Sequence, residues 1–567
     1  MTTAPTLCPT TAYRAEAVAR AERDLTARTD RYMRRAAHAL ALAAVRELRS
    51  AAGRVTGHGV LLLVGGGHNG GDALLAGALL ARRGCVVTAA LATDHPHADA
   101  LEEARRAGVS PAPEPVAACE RAVSDGTALV IDGLTGIGAA GPLRPRAASL
   151  VAPLAIAGRR ERRPFRVMAV DLPSGAGVDD GTMAGPVLAA DLSVTFTCLK
   201  GAHLLPPAAD ACGRVEVVDL GLPVPGDAAV LAVRPAEADL GRLLRVPGST
   251  DHKYTRGVVG LWTGSRAYPG AAVLAASAAV RSGAGMVRLS APQRVEDLVL
   301  ARRPEVVLAP GRCQARVIGP GIDPADVVRG AELDAVLAEA LDGRGDPAPT
   351  ASPASPASRS PQPAVIDAGA LPMLAERLRT GARCSPVHVL TPHAGEAAAL
   401  LATLGMPIDR AEVEAAPAAC ARDLARLTGG TVLLKGAPTL IAFPASADAP
   451  ASDAARAAPR LLSVEAGPGW LATAGSGDVL AGILGTVLAA ARVEAERGWS
   501  AVDAVDAVDA VDAVDAPARA ALAVRLHAVA AELASGAGAR PPGHPLAALD
   551  LTDHLPRACA AVGGWAA

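Results

Sequence analysis

Lysine and asparagine are almost absent from this chain. Its 55 basic residues comprise 52 arginines and only three lysines, Lys200, Lys253 and Lys435, and Asn69 is the sole asparagine. A sequence that has drifted so far toward Ala, Arg, Gly and Pro keeps Lys or Asn mainly where Arg or Asp cannot serve, so these four positions are candidates for chemistry before any motif is considered. Excess charge of one sign is also lacking: Lys+Arg 55 against Asp+Glu 57 leaves a net charge of −2. That removes the general attraction to phosphate backbones, and no nucleic-acid partner is expected. No run approaches ~18 strongly apolar residues, and charges occupy the N-terminus where a signal peptide would be apolar. No membrane partner and a cytoplasmic location are expected. Cys-x-x-Cys pairs are missing, and the nine cysteines are scattered from Cys8 to Cys559. Neither a disulfide framework nor a zinc site is indicated, and the thiols read as reduced core residues.

What is present is apolar and long. The 567 residues are 50% hydrophobic, enough for two to four domains with sizeable cores at ~100 to 200 residues per domain. An amphipathic helical stretch, Ala12 to Arg49, precedes strand signals at Gly59–Val64, Cys85–Ala92, Ala128–Asp132, Arg166–Asp171 and Leu192–Thr197. The alternation predicts an α/β fold, with an N-terminal Rossmann-like three-layer domain. It pauses around Leu222–Leu244 and restarts at Val258–Thr263, followed by Arg316–Gly319, Ala364–Asp367, Val387–Leu390 and Thr431–Leu434. The division is placed at 1–225 and 226–567. Asp346–Pro363 and Pro444–Pro459 read as surface insertions, and the five Ala-Val-Asp triplets at 501–515 as a tolerated expansion without one helical face.

In the first half, Gly65 to Gly70 (GGGHNG) satisfies the GxGxxG fingerprint between strand and helix, with Asp94 where a ribose-binding acid would sit, so a dinucleotide-binding oxidoreductase is one reading. The loop continues, however, into Asn-Gly-Gly-Asp, polar groups a simple pyrophosphate turn does not need. Asp132 in IDGLTGIGAAGP, Asp171 to Gly175 in DLPSG and Lys200 after TFTCLKG end further strands, and in an open α/β sheet those ends share one crevice. Asn69, Asp132 and Ser174 would offer hard oxygen ligands to an alkali or alkaline-earth cation.

These motifs resemble the epimerase domain of the NAD(P)H-hydrate repair enzymes. The resemblance implies binding of the hydrated dinucleotide by His68, Asn69, Gly70, Gly71 and Asp72, by Gly136, Ile137, Gly138, Ala139, Ala140, Gly141 and Pro142, and by Asp171. It also implies potassium on Asn69, Asp132 and Ser174, with Asp171 and Lys200 as the catalytic groups. His68 and Ala73 stand where that family usually has Asn and Gly.

In the second half, AGSGDVLAG gathers small residues at Gly475, Ser476 and Gly477 at a helix start, where amides and the helix dipole favour an anion, and Asp478 follows as a proton acceptor. Taken alone, this fits a small-molecule kinase. Lys435 in KGAPT would complement nucleotide phosphates, and His393 after Thr391-Pro392 reads by spacing as a helix-start residue. Together with HKYTRG, IGPG and TPHAGE, these runs resemble the ADP-dependent dehydratase domain of the same repair system, which implies a ribokinase-like α/β fold. The resemblance places AMP on Lys435, Gly436, Ala437, Pro438, Thr439 and Gly477, and the hydrated dinucleotide on Ala272, Gly321, His393 and Asp478. Gly467-Pro468-Gly469 replaces the usual Asn-Pro-Gly. The implied activity is epimerisation of R and S NADHX and NADPHX and dehydration of the S form, with Asp478 as catalytic base, Mg2+ accompanying ADP, small-molecule substrates and a homo-oligomeric state.

Overall fold

The structure is a computed structural model describing residues 11–26, 29–156, 163–323, 326–342, 361–444, 460–497, 514–539 and 541–565. The chain forms two compact units, Met1–Val233 and Arg234–Ala567. Both carry parallel sheets.

In the first unit, β1 (Gly59–Val64), β2 (Val86–Leu91), β3 (Ser110–Pro111), β4 (Thr127–Gly133), β5 (Arg166–Val170), β6 (Leu192–Phe196) and β7 (Arg214–Val218) align in the order β3-β2-β1-β4-β5-β6-β7. Every pairing is parallel. The unbroken apolar run of β1 follows from coverage of both its faces. Val60, Leu62 and Val64 pack with Leu40 and Leu48 of one helix and Leu74 of another, while Leu61 and Leu63 pack with Leu150, Val151 and Leu154. The N-terminal stretch expected as one helix is instead a short strand, Thr11–Tyr13, then α1 (Ala15–Thr26) and α2 (Arg31–Ala52). Helices α3 (His68–Ala81) and α4 (Pro145–Ile156) complete the layers used below.

The second unit contains β8 (Val258–Trp262), β9 (Met286–Ser290), β10 (Ala315–Ile318), β11 (Ala364–Ile366), β12 (His388–Leu390), β13 (Thr431–Leu434), β14 (Thr439–Phe443) and β15 (Arg460–Val464), ordered β9-β8-β10-β11-β12-β13-β14-β15. The first six are parallel, and β14 and β15 continue antiparallel. Its helices include α5 (Pro269–Arg281), α6 (Ala394–Thr403), α7 (Ser476–Glu496) and α8 (Ala516–Ser535).

Helix α7 is the one described helix long and apolar enough to cross a membrane, but 78% of its apolar window is buried within the protein. It is apolar all round because it runs through the core. Eight cysteines are free and buried, and Cys8 lies outside the described residues. The two expected insertions and the Ala-Val-Asp triplets also fall, apart from their edges, outside them.

Small residues let α5 and α7 meet closely. A Cβ on Gly482 would lie 2.3 Å from the Ala275 carbonyl oxygen and 2.9 Å from Ala278 Cβ. Gly482→Ala must therefore separate the two helices, and overpacking of this kind costs ~1 to 3 kcal/mol. The expected outcome is a lower Tm in circular dichroism despite alanine's better helix propensity.

Candidate functional site

In the first sheet, the chain leaves β1 toward β2 and leaves β4 in the opposite direction, so a crevice opens at their carboxyl ends. The backbones there are too close for side chains. A Cβ on Gly65 would lie 1.9 Å from the Leu134 carbonyl oxygen, and one on Gly70 would lie 2.2 Å from that of Gly65. Asn69 sits between them, its Nδ2 donating to the carbonyls of Thr135 and Val170, both at 2.9 Å. One neutral amide thus ties the start of α3 to the ends of β4 and β5, which an ionised carboxylate, having no donor, could not do.

Beside it, Asp132 is fully buried and accepts from Ser174 Oγ at 2.7 Å, Ser174 N at 2.8 Å and Leu134 N at 3.3 Å. Ser174 Oγ also accepts from Thr135 N at 3.0 Å. Among the described residues Asp132 has no ion-pair partner, and burial pushes its pKa up. The structure brings Asn69, Asp132 and Ser174 together, and a buried carboxylate lacking a counter-charge fits a cation. Ala73 is tolerated because Gly133 faces it: a Cβ on Gly133 would lie 2.8 Å from that of Ala73.

A second cluster surrounds Asp171, a non-glycine residue at φ 70°. Its Oδ1 accepts from Thr195 Oγ1 at 2.6 Å and from Lys200 Nζ at 2.8 Å, and the ammonium donates further to Thr195 Oγ1 and the Phe196 carbonyl, both at 2.9 Å. His203 closes the group, Nδ1 accepting from Lys200 N and Nε2 lying against the Asp171 carbonyl, both at 2.9 Å. Burial favours the acid form of Asp171, but the Lys200 ammonium, His203 and the hydrogen bonds outweigh it and hold the pKa below the usual carboxylate range. Asp72, on α3, is the opposite case. Burial first, and the Asp171 charge second, push it well above its ordinary value, and its Oδ1 has no hydrogen-bond partner among the described residues. Carboxyls whose pKa values diverge in one crevice can divide base and acid roles.

Gly136 borders Asn69, where a Cβ would lie 2.9 Å from Oδ1. Ile137 packs on an apolar cluster, whereas Gly138, Ala139, Ala140, Gly141 and Pro142 form an exposed loop and His68 is also exposed. Asp94 is exposed and paired with Arg146 at 2.7 Å, so it is not poised as a ribose-binding acid in the crevice.

In the second unit, the corresponding switch lies between β8 and β10. Gly264 N donates to the Pro320 carbonyl at 2.8 Å, and Gly321, at φ 67°, approaches α5 so closely that a Cβ would lie 2.3 Å from Ala271 Cβ. Ala272 is fully buried, 2.8 Å from a Cβ placed on Gly264. Lys435 begins the turn from β13 to β14 that carries Gly436, Ala437, Pro438 and Thr439. Its Nζ donates to Asp367 Oδ1 at 2.7 Å and lies 3.4 Å from where a Cβ on Gly477 would be. The ammonium therefore rests against the amide-rich start of α7, capped by Gly475 at φ 87°. Asp478 stands in that first turn, and burial, then the Asp367 charge, against the pull of Lys435, raise it to about 6.

His393 is itself the N-cap of α6, two residues past a start with Thr391 as the cap and Pro392 as the first helical residue. Its Nδ1 accepts from the amides of Gly395 and Glu396 at 3.0 and 3.3 Å. Lys253 is exposed, 5.2 Å from the Tyr254 ring centroid, where its ammonium sits over the π face. Sequence reasoning passed over Asp367, Thr195 and His203. Asp367 carried a usable signal, since it ends the AVID strand as Asp132 and Asp171 end theirs.

The buried His203 is held neutral, at about 4. Its Nδ1 accepts an amide hydrogen, which a protonated ring could not do. Because the unfolded ring titrates near 6.5, the unfolded chain binds more protons between pH 6.5 and 4, and stability is lost as pH falls through that window. The contribution is on the order of 3 kcal/mol at most. Thermal melts from pH 7 to 4 should fall steadily, and His203→Gln should flatten the slope for the transition assigned to the first unit.

Comparison with known proteins places both halves. A family described as NAD(P)H-hydrate dehydratase matches residues 259–540, and one described as YjeF-related protein N-terminus matches residues 29–202. The bifunctional NAD(P)H-hydrate repair enzyme Nnr of Mycobacterium leprae is 41% identical over 470 residues, spanning 82% of this chain and 85% of that protein. Its Corynebacterium glutamicum counterpart is 34% identical over 553 residues, spanning 84% and 86%. A crystal structure of an ADP/ATP-dependent NAD(P)H-hydrate dehydratase from Bacillus subtilis aligns with 25% identity and a TM-score of 0.39, over 58% of this chain and 97% of that one. With relatives of this identity covered over most of their length, the chain belongs to the family of bifunctional NAD(P)H-hydrate repair enzymes.

Proposed function

We infer that the chain repairs hydrated NADH and NADPH, the N-terminal unit interconverting the R and S epimers and the C-terminal unit dehydrating the S epimer at the expense of ADP. The observation that carries this reading is the pairing, in one chain of this family, of two switch-point crevices, each with a Lys–Asp ion pair and a second carboxyl pushed upward. A dihydronicotinamide hydrated at its enamine bond bears a hydroxyl on the carbon next to the ring nitrogen. Epimerisation at that carbon needs a proton delivered to the departing oxygen and one removed from water returning on the other face. Asp72 supports the acid role and Asp171, with Lys200 beside it, the base role.

Asn69, Asp132 and Ser174 would hold potassium, which would supply the positive charge that buried Asp132 lacks. The chain's own residues then fix the crevice, because Asn69 and Ser174 each bridge two loops. Asp132→Ala is expected to abolish R-to-S conversion while leaving ADP-driven use of the S epimer intact, measured as NADH absorbance from each pure epimer. Equal loss of both activities would point to unfolding instead.

In the C-terminal unit, Asp478 accepts the substrate hydroxyl proton as the terminal phosphoryl group of magnesium-bound ADP moves to that oxygen and AMP departs. The phosphate ester then leaves as phosphate, pushed by the ring nitrogen, and loss of a carbon-bound proton restores NAD(P)H. The amides around Gly475–Gly477 and the Lys435 ammonium support the transferring group. Since the base must be ionised, dehydration should rise with pH through about 6 and level off above it. Asp478→Asn keeps shape and is expected to lose ~10² to 10⁴-fold in turnover with ADP affinity retained. Near-normal turnover would sink the assignment. ADP is expected to outperform ATP at saturating S epimer, and the reverse preference would overturn that choice. A cytoplasmic location belongs to the same reading.

A further inference from the structure

Lys200 stands on a strand of two residues, Leu199–Lys200, followed at once by the tight turn Gly201–His203. So short a strand has few ladder bonds of its own, and its place is set by what lies against it. The N-terminal strand Thr11–Tyr13 runs parallel to it, with Ala12 opposite Leu199 and Tyr13 opposite Lys200. That strand is backed in turn by Val230–Val233, antiparallel, with Ala12 also opposite Ala232. Val178 and Asp179 press on the turn that follows Lys200. The Val178 carbonyl accepts from Ala202 N at 2.8 Å, and a Cβ on Gly201 would lie 2.7 Å from the Asp179 carbonyl oxygen.

Asp179 joins these two supports. Its Oδ1 accepts at 2.8 Å from the amide of Ala15, the first residue of α1, 164 positions earlier in the chain. The first amides of a helix find no acceptor within it. Arg14, the residue before α1, carries a side chain that only donates, so the usual neighbour cannot supply the oxygen. Asp179 supplies it from across the fold, with a negative charge suited to the positive end of the helix dipole. Ala15 itself packs among Leu172, Ala176, Val178 and Ala202. The first turn of α1 is thereby seated on the two loops that carry Asp171 and Lys200.

We propose that Asp179 is a positioning residue of the epimerase crevice: by capping α1 it fixes the strand Thr11–Tyr13 beside Lys200 and so sets where the ammonium meets Asp171. This rests on the reading of Asp171 and Lys200 as the epimerase groups. Asp179 acts through placement alone, and a displacement of about 1 Å at a reacting group can cost ~10²-fold in rate.

The test uses the full chain with pure R epimer, following R-to-S conversion directly, alongside ADP-driven dehydration of pure S epimer. Asp179→Ala removes the acceptor and is expected to lower kcat for epimerisation by ~10-fold or more, with KM within about twofold of the parent and dehydration unchanged. Asp179→Asn keeps an acceptor oxygen and should recover most of the rate. Ala15→Pro removes the donor while suiting the first position of a helix, and should match Asp179→Ala. The double variant should then lose no more than either single one. Parent-like kcat in Asp179→Ala would overturn the proposal, and so would single losses that multiply in the double variant. Equal losses in Asp179→Ala and Asp179→Asn with a lowered Tm would overturn it too, as the mark of a packing role. Should Asp179→Ala unfold the first unit, Ala15→Pro decides: reduced kcat at a parent-like Tm supports the proposal, and parent-like kcat overturns it. Lys200→Met and Asp171→Asn run beside them: if these two leave epimerisation intact, the reading of the crevice fails rather than the role of Asp179 alone.

Discussion

Both units depend on backbone approaching backbone more closely than a Cβ permits. A parallel sheet whose winding reverses between two neighbouring strands must open a crevice at their carboxyl ends. At Gly65 and Gly70 in the first unit, and at Gly319 and Gly321 in the second, added Cβ atoms would lie within 1.9 to 2.3 Å of neighbouring atoms. The contact at Gly319 is with the carbonyl oxygen of Asp367 itself. Glycine at these points is therefore what lets the acidic residues at the strand ends converge, and every polar interaction in either crevice is downstream of that fit.

The two crevices solve an electrostatic problem in the same way. In each, a lysine is fixed to one aspartate by a short bond, Lys200 to Asp171 and Lys435 to Asp367, while a second carboxyl, Asp72 or Asp478, has no such bond among the described residues and shifts upward. The paired aspartate contributes to that shift as a neighbouring negative charge. One aspartate is thus spent in keeping the other poised. The difference between the units lies in what surrounds the lysine: two further acceptors and a neutral histidine in the first, an amide-rich helix start in the second.

Much of this was legible in the sequence because strands buried on both faces advertise themselves. GVLLLV and TVLL were delimited to the residue, and other central strands to within one residue at each end. Strands flanked by helical apolar runs or at sheet margins, such as Met286–Ser290 and Arg214–Val218, carry polar residues and lack that signal. Asn69, Lys200 and Lys435 were marked by their rarity alone. Asp367 and His203 were not, since aspartate and histidine are unremarkable in this composition, and their roles come from long-range closure onto Lys435 and Lys200. The single helix expected at the N-terminus failed because its first residues are claimed by pairing beside Leu199–Lys200, a contact nearly 190 residues away along the chain.

The near-total replacement of lysine by arginine has a practical side. Two of the three side-chain amines, Lys200 and Lys435, are tied into ion pairs at 2.8 and 2.7 Å, with side chains 3% and 24% exposed. Lys253 alone stands on the surface, beside Tyr254. Guanidinium groups do not react with mild acylating reagents, so the 52 arginines are invisible to them. The molecule thus presents a single exposed side-chain amine, on the C-terminal unit, as a natural attachment point for a fluorophore or a surface tether.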